Sequence, residues 1–296
     1  MQILEVSPRD GLQNEAEHLS TDDKVELVAR AVDAGARRVE VTSFVHPKAV
    51  PQLADAEQVM SGIERVDGVS YAGLVMNERG LERAVAARVD EVDIVVVASD
   101  TFCQRNQNMT TWEACDIAGG LVARARTAGL FTTVTIGASF GCPFEGEVPV
   151  SRLREVVSRV VDAGPDELAL ADTIGVAVPS DIIDRAGCAI EVAGPQIRSR
   201  LHLHDTRNTA VANAVAALEV GVETLDASIG GAGGCPFAPN ATGNVATEDL
   251  TYLFSRMGVD TGLELDTLLD SAVWLEGQLG KQLPSALARA GGFPPH

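Results

Sequence analysis

The chain has 296 residues, of which 46% are hydrophobic, 22% charged and 4% aromatic, a globular balance that excludes disorder and fibrous repeats and allows one large core. Its 23 Lys and Arg against 42 Asp and Glu give a net charge of −19, which argues against sequence-independent nucleic-acid binding and against docking on anionic lipid. No run reaches the roughly 20 apolar residues of a membrane span, the first strand-like run leaves no room for a signal segment, and the five cysteines are odd in number, widely spaced and without CxxC or zinc spacing, so a cytoplasmic, reducing setting is expected.

In chain order, short apolar, β-branched runs predict strands at residues 2–6, 38–42, 70–74, 91–97, 131–136, 167–170, 200–204 and 224–228. Amphipathic segments between them predict helices at 21–34, 78–87, 111–128, 150–163, 180–192, 208–220 and 247–257, with a further helix or two over 261–280 packed outside or across the rest. Ser20 or Thr21 reads as an N-cap, and the pairs Ala34-Gly35, Ala128-Gly129 and Ala163-Gly164 read as helix exits. Eight strands each followed by a helix indicate an α/β fold, a parallel (β/α)8 TIM barrel over about residues 1–258 with additional C-terminal helices over about 261–285, all one domain. A doubly wound open sheet competes, but the residues after the first strand, Ser7-Pro8-Arg9-Asp10-Gly11, are not the glycine-rich dinucleotide turn it would show.

In such a barrel, chemistry sits where strands end on the C-terminal face. The first strand ends in Arg9 and Asp10 beside Gly11, Gln13 and Asn14, a composition that a merely solvated loop would also give. The seventh ends in His202-Leu203-His204-Asp205, and alternate strand residues share a face, so both imidazoles point together as metal ligands do. A lone strand histidine is more often a core residue; the same-face pair at a barrel mouth favours metal. Asp10 is the leading carboxylate to join them, and a mixed nitrogen and oxygen set suits Mg2+ or Mn2+ and would also accept Co2+ or Zn2+. Asp205 either orients one imidazole or caps the next helix. After the eighth strand, four glycines in five residues (230–234) predict a loop able to carry Cys235 toward a substrate and back, and Asn244 beyond it can offer a neutral oxygen.

The segments 7–15 (SPRDGLQNE), 39–45 (VEVTSFV), 141–146 (GCPFEG), 172–175 (DTIG) and 233–238 (GGCPFA) resemble, in order, the hydroxymethylglutaryl-CoA lyases. These belong to the metal-dependent lyase and synthase barrels that carry Arg-Asp after the first strand. The resemblance runs from about residue 2 to about residue 280. The Cys235 loop followed by Ala-Thr-Gly-Asn separates the lyases from the related isopropylmalate and homocitrate synthases. It implies Asp10, His202, His204 and Asn244 as ligands of a divalent cation, Arg9 as the catalytic cation, Cys235 as the loop thiol and Glu40 as a second acidic group. Gln13 and Asp172 match family positions near metal and substrate. The implied reaction splits a 3-hydroxyacyl-CoA between C2 and C3 into acetyl-CoA and a ketoacid, acetoacetate in leucine degradation, with an acyl-CoA as partner and a homodimer as the implied assembly. Arg9 would stabilise the enolate, Cys235 would protonate it, and the base is a histidine, Glu40 or a hydroxide held by the cation. One departure concerns the substrate: the family's aromatic residue and glycine after His204-Asp205-Thr206 are replaced by Arg207-Asn208. A guanidinium there can pair with a substrate carboxylate or turn outward to begin the next helix, which leaves citramalyl-CoA and longer 3-alkylglutaryl-CoA thioesters open as substrates. A non-catalytic metal-binding barrel is the reading from a different class.

Overall fold

Eight short strands hydrogen-bond in sequence order and close on themselves in a computed structural model that describes residues 1–234 and 243–293. They are β1 (Gln2–Glu5), β2 (Arg38–Ser43), β3 (Ser70–Val75), β4 (Glu91–Val97), β5 (Phe131–Gly137), β6 (Glu167–Asp172), β7 (Arg198–Leu203) and β8 (Thr224–Ala227). Every neighbouring pair is parallel, and β8 returns to β1 with Gln2 opposite Thr224 and Leu4 opposite Asp226. Parallel neighbours need crossovers, and helices supply them. In chain order these are α1 (Thr21–Asp33), α2 (Ala56–Gly62), α3 (Glu78–Ala86), α4 (Asp100–Gln107), α5 (Thr111–Thr127), α6 (Val150–Val161), α7 (Pro179–Ala193), α8 (Ala210–Val220) and α9 (Thr247–Arg256). Two more, α10 (Leu265–Leu279) and α11 (Ala286–Ala290), lie beyond the barrel units, α10 against α1 and the turn Ile229–Gly231. None is long and apolar enough to cross a membrane.

Local chemistry fixes the ends as anticipated. Ser20 and Asp23 exchange hydrogen bonds as a capping box at the start of α1, and Thr110 with Glu113 does the same for α5. Gly35, Gly129 and Gly164 take positive φ where α1, α5 and α6 stop, a conformation in which a β-carbon is penalised. Helices α2 and α4 escape the reading from periodicity. The first is seven residues long and follows Pro51, and the second buries only Phe102 and Cys103 of its eight residues, too little to show a helical period. Strand β7 begins two residues earlier than the apolar run and stops at Leu203, so His204 stands just past its end and pairs with Asn244 instead.

Strand alternation splits the molecule into two interiors. Val39, Val41, Val92, Ile94, Leu201, Leu203 and Leu225 join the apolar layer shared with the helices. The residues between them face the barrel axis, where TIM barrels usually pack branched apolar side chains. Here the axis is charged: Arg38, Glu40, Glu91, Asp93, Glu167, Arg200, His202 and Asp226 are all at least nine-tenths buried.

Candidate active site

The turn that ends β1 builds the first wall of the site. Ser7–Gly11 forms one turn of π-helix in which the Val6 carbonyl accepts the N–H groups of Arg9, Asp10 and Gly11 at 3.2, 2.8 and 3.1 Å; such wide turns are rare and recur at functional sites. Pro8 has no N–H to leave unsatisfied there, and a β-carbon on Gly11 would meet Ser228 Oγ at 3.0 Å. The result is a buried Arg9-Asp10 pair whose side chains line a cavity of about 440 Å³ together with Gln13, His202 and His204.

Ligating atoms of Asp10, His202 and His204 lie within 4.8 Å of one another. The two rings are 4.8 Å apart at 71°. His202 Nδ1 is 3.0 Å from Asp226 Oδ2, and His204 Nδ1 is 2.9 Å from the Asp172 carbonyl. Each Nδ1 faces an acceptor and therefore carries the proton of the neutral ring, the form in which Nε2 keeps its lone pair. Asn244 completes the group: its Nδ2 donates to Asp10 Oδ2 at 2.8 Å, while its Oδ1 is buried with no hydrogen bond. Gly243 brings it there, since a β-carbon at 243 would meet the Gly233 and Gly231 carbonyls at 2.4 and 2.5 Å. A carboxylate, two imidazole nitrogens and an orphaned amide oxygen form a donor set that fits a hard or borderline divalent cation.

Around this set the charges are tightly linked. Arg9 Nη1 meets Asp10 Oδ1 at 2.5 Å, Arg9 Nη2 meets Glu40 Oε2 at 2.7 Å, and Gln13 Nε2 donates to Asp10 Oδ1 at 2.8 Å. Burial works against the Asp10 carboxylate, but Arg9, the two histidines and Asn244 outweigh it and hold its pKa far below the usual range. His204 is pushed down to about 4, first by burial and then by His202, so its ring is neutral at pH 7. For His202 burial also lowers the pKa, yet Asp226 and Asp10 prevail and raise it. Glu40 is pushed up to about 7 by burial, with Arg9 opposing and Asp93 assisting.

Of the residues singled out in the sequence, Arg9, Asp10, Gln13, His202, His204 and Asn244 converge. Glu40 lies beneath them, reaching the site through Arg9. Asp172 does not present its carboxylate: Oδ1 and Oδ2 accept the N–H groups of Val176 and Ala177 at 2.9 and 3.0 Å, and only its carbonyl touches the site, through His204. Arg207 is exposed and donates from Nη1 to the carbonyls of Ile174 and Gly175, each at 2.8 Å, without lining the cavity. Asp205 accepts the Ala210 N–H at 2.9 Å and so caps α8. Cys235 lies outside the described residues. Asp226, Asp93 and Arg200, which line the same cavity, were missed. Their signal is a charged or polar residue at every second position of a strand, as in Glu91-Val92-Asp93, Arg198-Ser199-Arg200 and Thr224-Leu225-Asp226.

Comparison with known proteins gives this geometry a context. The HMGL-like family model matches residues 1–273. The chain is 42% identical to the (R)-citramalyl-CoA lyase of Chloroflexus aurantiacus over 98% of its own length and 94% of that protein. The crystal structure of the Bacillus subtilis HMG-CoA lyase superposes with a TM-score of 0.94 at 42% identity, covering 98% of this chain and 97% of that one. An HMG-CoA lyase from Acinetobacter baumannii, in complex with coenzyme A and 3-methylmalate, superposes with a TM-score of 0.94 at 38% identity, covering 100% of this chain and 96% of that one.

Proposed function

The chain belongs to the HMGL-like family, and from that premise we propose that it cleaves hydroxymethylglutaryl-CoA between C2 and C3 to acetyl-CoA and acetoacetate, the step used in leucine degradation, in the cytoplasm and as a homodimer. The observation that carries the proposal is the convergence of Asp10, His202, His204 and the orphaned Asn244 Oδ1 beside Arg9 at one mouth of the barrel. Asp10, His202, His204 and Asn244 would hold Mg2+ or Mn2+, which when bound supplies Lewis-acid polarisation of the substrate oxygens.

The protein's own groups do the rest. Loss of the C3 hydroxyl proton drives scission, the C2–C3 electrons pass to the thioester as an enolate, and C3 becomes the ketone. Arg9, kept cationic because Glu40 and Asp10 overcome the effect of burial, stabilises the enolate oxygen in a sheltered site. Glu40 holds the Arg9 guanidinium from below without lining the cavity, and with its pKa raised to about 7 by burial its carboxylate is the group we assign to receive the hydroxyl proton, relayed through one water. Gln13 keeps Asp10 oriented through its Oδ1. Cys235 is assigned the return of a proton to C2, which completes acetyl-CoA.

A second substrate reading has its own support: the Chloroflexus relative, 42% identical, is a citramalyl-CoA lyase, and the same chemistry on citramalyl-CoA would yield pyruvate. Cleavage of hydroxymethylglutaryl-CoA, citramalyl-CoA and a longer 3-hydroxy-3-alkylglutaryl-CoA, followed as acetyl-CoA release with Mg2+, with Mn2+ and after EDTA, ranks the three. Release from hydroxymethylglutaryl-CoA with the highest kcat/KM and its loss in EDTA is the expected result. Preference for citramalyl-CoA replaces the substrate, and cleavage of none overturns the lyase reading.

A further inference from the structure

Arg200 stands two residues before His202 on the inward side of β7, and the chemistry above gives it no task. Its side chain is 2% exposed and lines the cavity. Nη2 donates to Asp93 of β4 and, at 3.0 Å, to Thr135 Oγ1 of β5, Nη1 lies 3.6 Å from Glu167 of β6, and Nε lies 3.3 Å from Asp226 Oδ1 of β8. A guanidinium enclosed by three carboxylates is a poor receptor for a substrate anion. Its consequence must therefore be sought in what it holds.

One of those carboxylates, Asp226, takes His202 on its other oxygen. The two imidazoles differ here. His204 is steered by the Asp172 carbonyl, which the strand itself fixes. His202 is steered by a side chain with two rotatable bonds, and Asp226 Oδ1 has no directional hydrogen bond to stop it turning. The ion pair with Arg200 is what restrains it.

We infer that Arg200 is a positioning residue for the metal centre: it fixes the Asp226 carboxylate, which fixes the tautomer and ring plane of His202. The inference rests on the metal-centre reading of Asp10, His202, His204 and Asn244. Charge alone would act in the opposite sense, because a buried cation near a metal site repels the metal. Exchanging Arg200 for lysine separates the two, since lysine keeps the charge and loses the planar fork.

The test titrates Mn2+ into the full chain and reads free Mn2+ by electron paramagnetic resonance, without substrate, for wild type, Arg200→Lys, Asp226→Asn, the double variant and His202→Ala. Arg200→Lys is expected to weaken Mn2+ about tenfold, at the lower end of the ~10–100-fold cost of losing a group that orients a ligand. The double variant is expected to bind no more weakly than Asp226→Asn alone, because Arg200 acts only through Asp226. Unchanged or tighter binding by Arg200→Lys, or losses that multiply in the double variant, overturns the inference. Wild-type affinity in His202→Ala overturns the metal-centre reading instead. If circular dichroism shows Arg200→Lys unfolded, Asp93→Asn loosens the other end of the guanidinium. At least a twofold loss of Mn2+ affinity is then expected, and wild-type binding overturns the inference.

Discussion

At the N-terminal end of the barrel, Arg38 places all three of its guanidinium nitrogens on acceptors from Glu91, Glu167 and Gln2 at 2.6–3.3 Å. At the C-terminal mouth, Arg9 is as buried and meets two carboxylates, yet its Nε, Glu40 Oε1 and Asn244 Oδ1 have no hydrogen-bond partner. The pKa values follow the pairing: burial would raise Glu167, but Arg38 and Arg200 hold it low, whereas Glu40 stays raised at about 7. Burial of charge is therefore common to both ends, and completeness of pairing distinguishes them. A completed cluster braces strands against one another, and an incomplete one keeps donors and acceptors for something that arrives later.

The comparison breaks most sharply at His204. His204→Ala should lose Mn2+ binding and roughly a thousandfold of turnover, since a Lewis-acid cation contributes several kcal/mol and each 1.36 kcal/mol is tenfold, while the melting temperature of the metal-free protein stays near wild type. Full turnover in a demonstrably metal-free His204→Ala protein would sink the metal assignment. Arg38→Met should do the reverse, costing about 3–5 kcal/mol of stability in urea because Glu91 and Glu167 are left buried without a counter-charge. A fully stable Arg38→Met protein would remove the distinction between the two ends. Arg9→Gln should lower kcat by about 3–4 kcal/mol of transition-state stabilisation with Mn2+ affinity little changed, and a loss confined to KM would make Arg9 a binding group only. The smallest effect is expected at Arg207, whose side chain is spent on the Ile174 and Gly175 carbonyls. Arg207→Tyr should leave the ratio of kcat/KM between acyl groups within about twofold, a surface-like response, and a larger change would place the guanidinium at the substrate.

The closed barrel and the donor groups that converge at its mouth were legible because their signals are local: alternation of strand and helix, a His-x-His spacing on one strand, Arg-Asp beside a turn glycine. The support beneath them was not. Arg200 and Asp226 meet only when β7 and β8 lie side by side, and Asp93 reaches Arg200 across the barrel interior. In the sequence each is a charge on one side of a strand, with nothing to say which group on another strand it will meet. Asp172 shows another limit: the resemblance implies a position near metal and substrate, but only the structure shows that its carbonyl is the part that faces His204, and a backbone role leaves no mark on residue type. Arg207 was weighed between substrate and solvent, and the carbonyls that engage it belong to the loop after β6, more than thirty residues away.

The hydrogen bond from Asn244 to Asp10 joins residues 234 positions apart, across the same seam where β8 meets β1. A chain leaving the ribosome from its N-terminus therefore carries Arg9 and Asp10 for most of its synthesis without the partners that make them a site. His202, His204 and Asn244 emerge late, and the pairing that closes the barrel also completes the donor set. On the proposed metal reading, half-made chains would have no chelating pocket with which to capture the wrong ion, and the first metal encountered would meet a finished barrel.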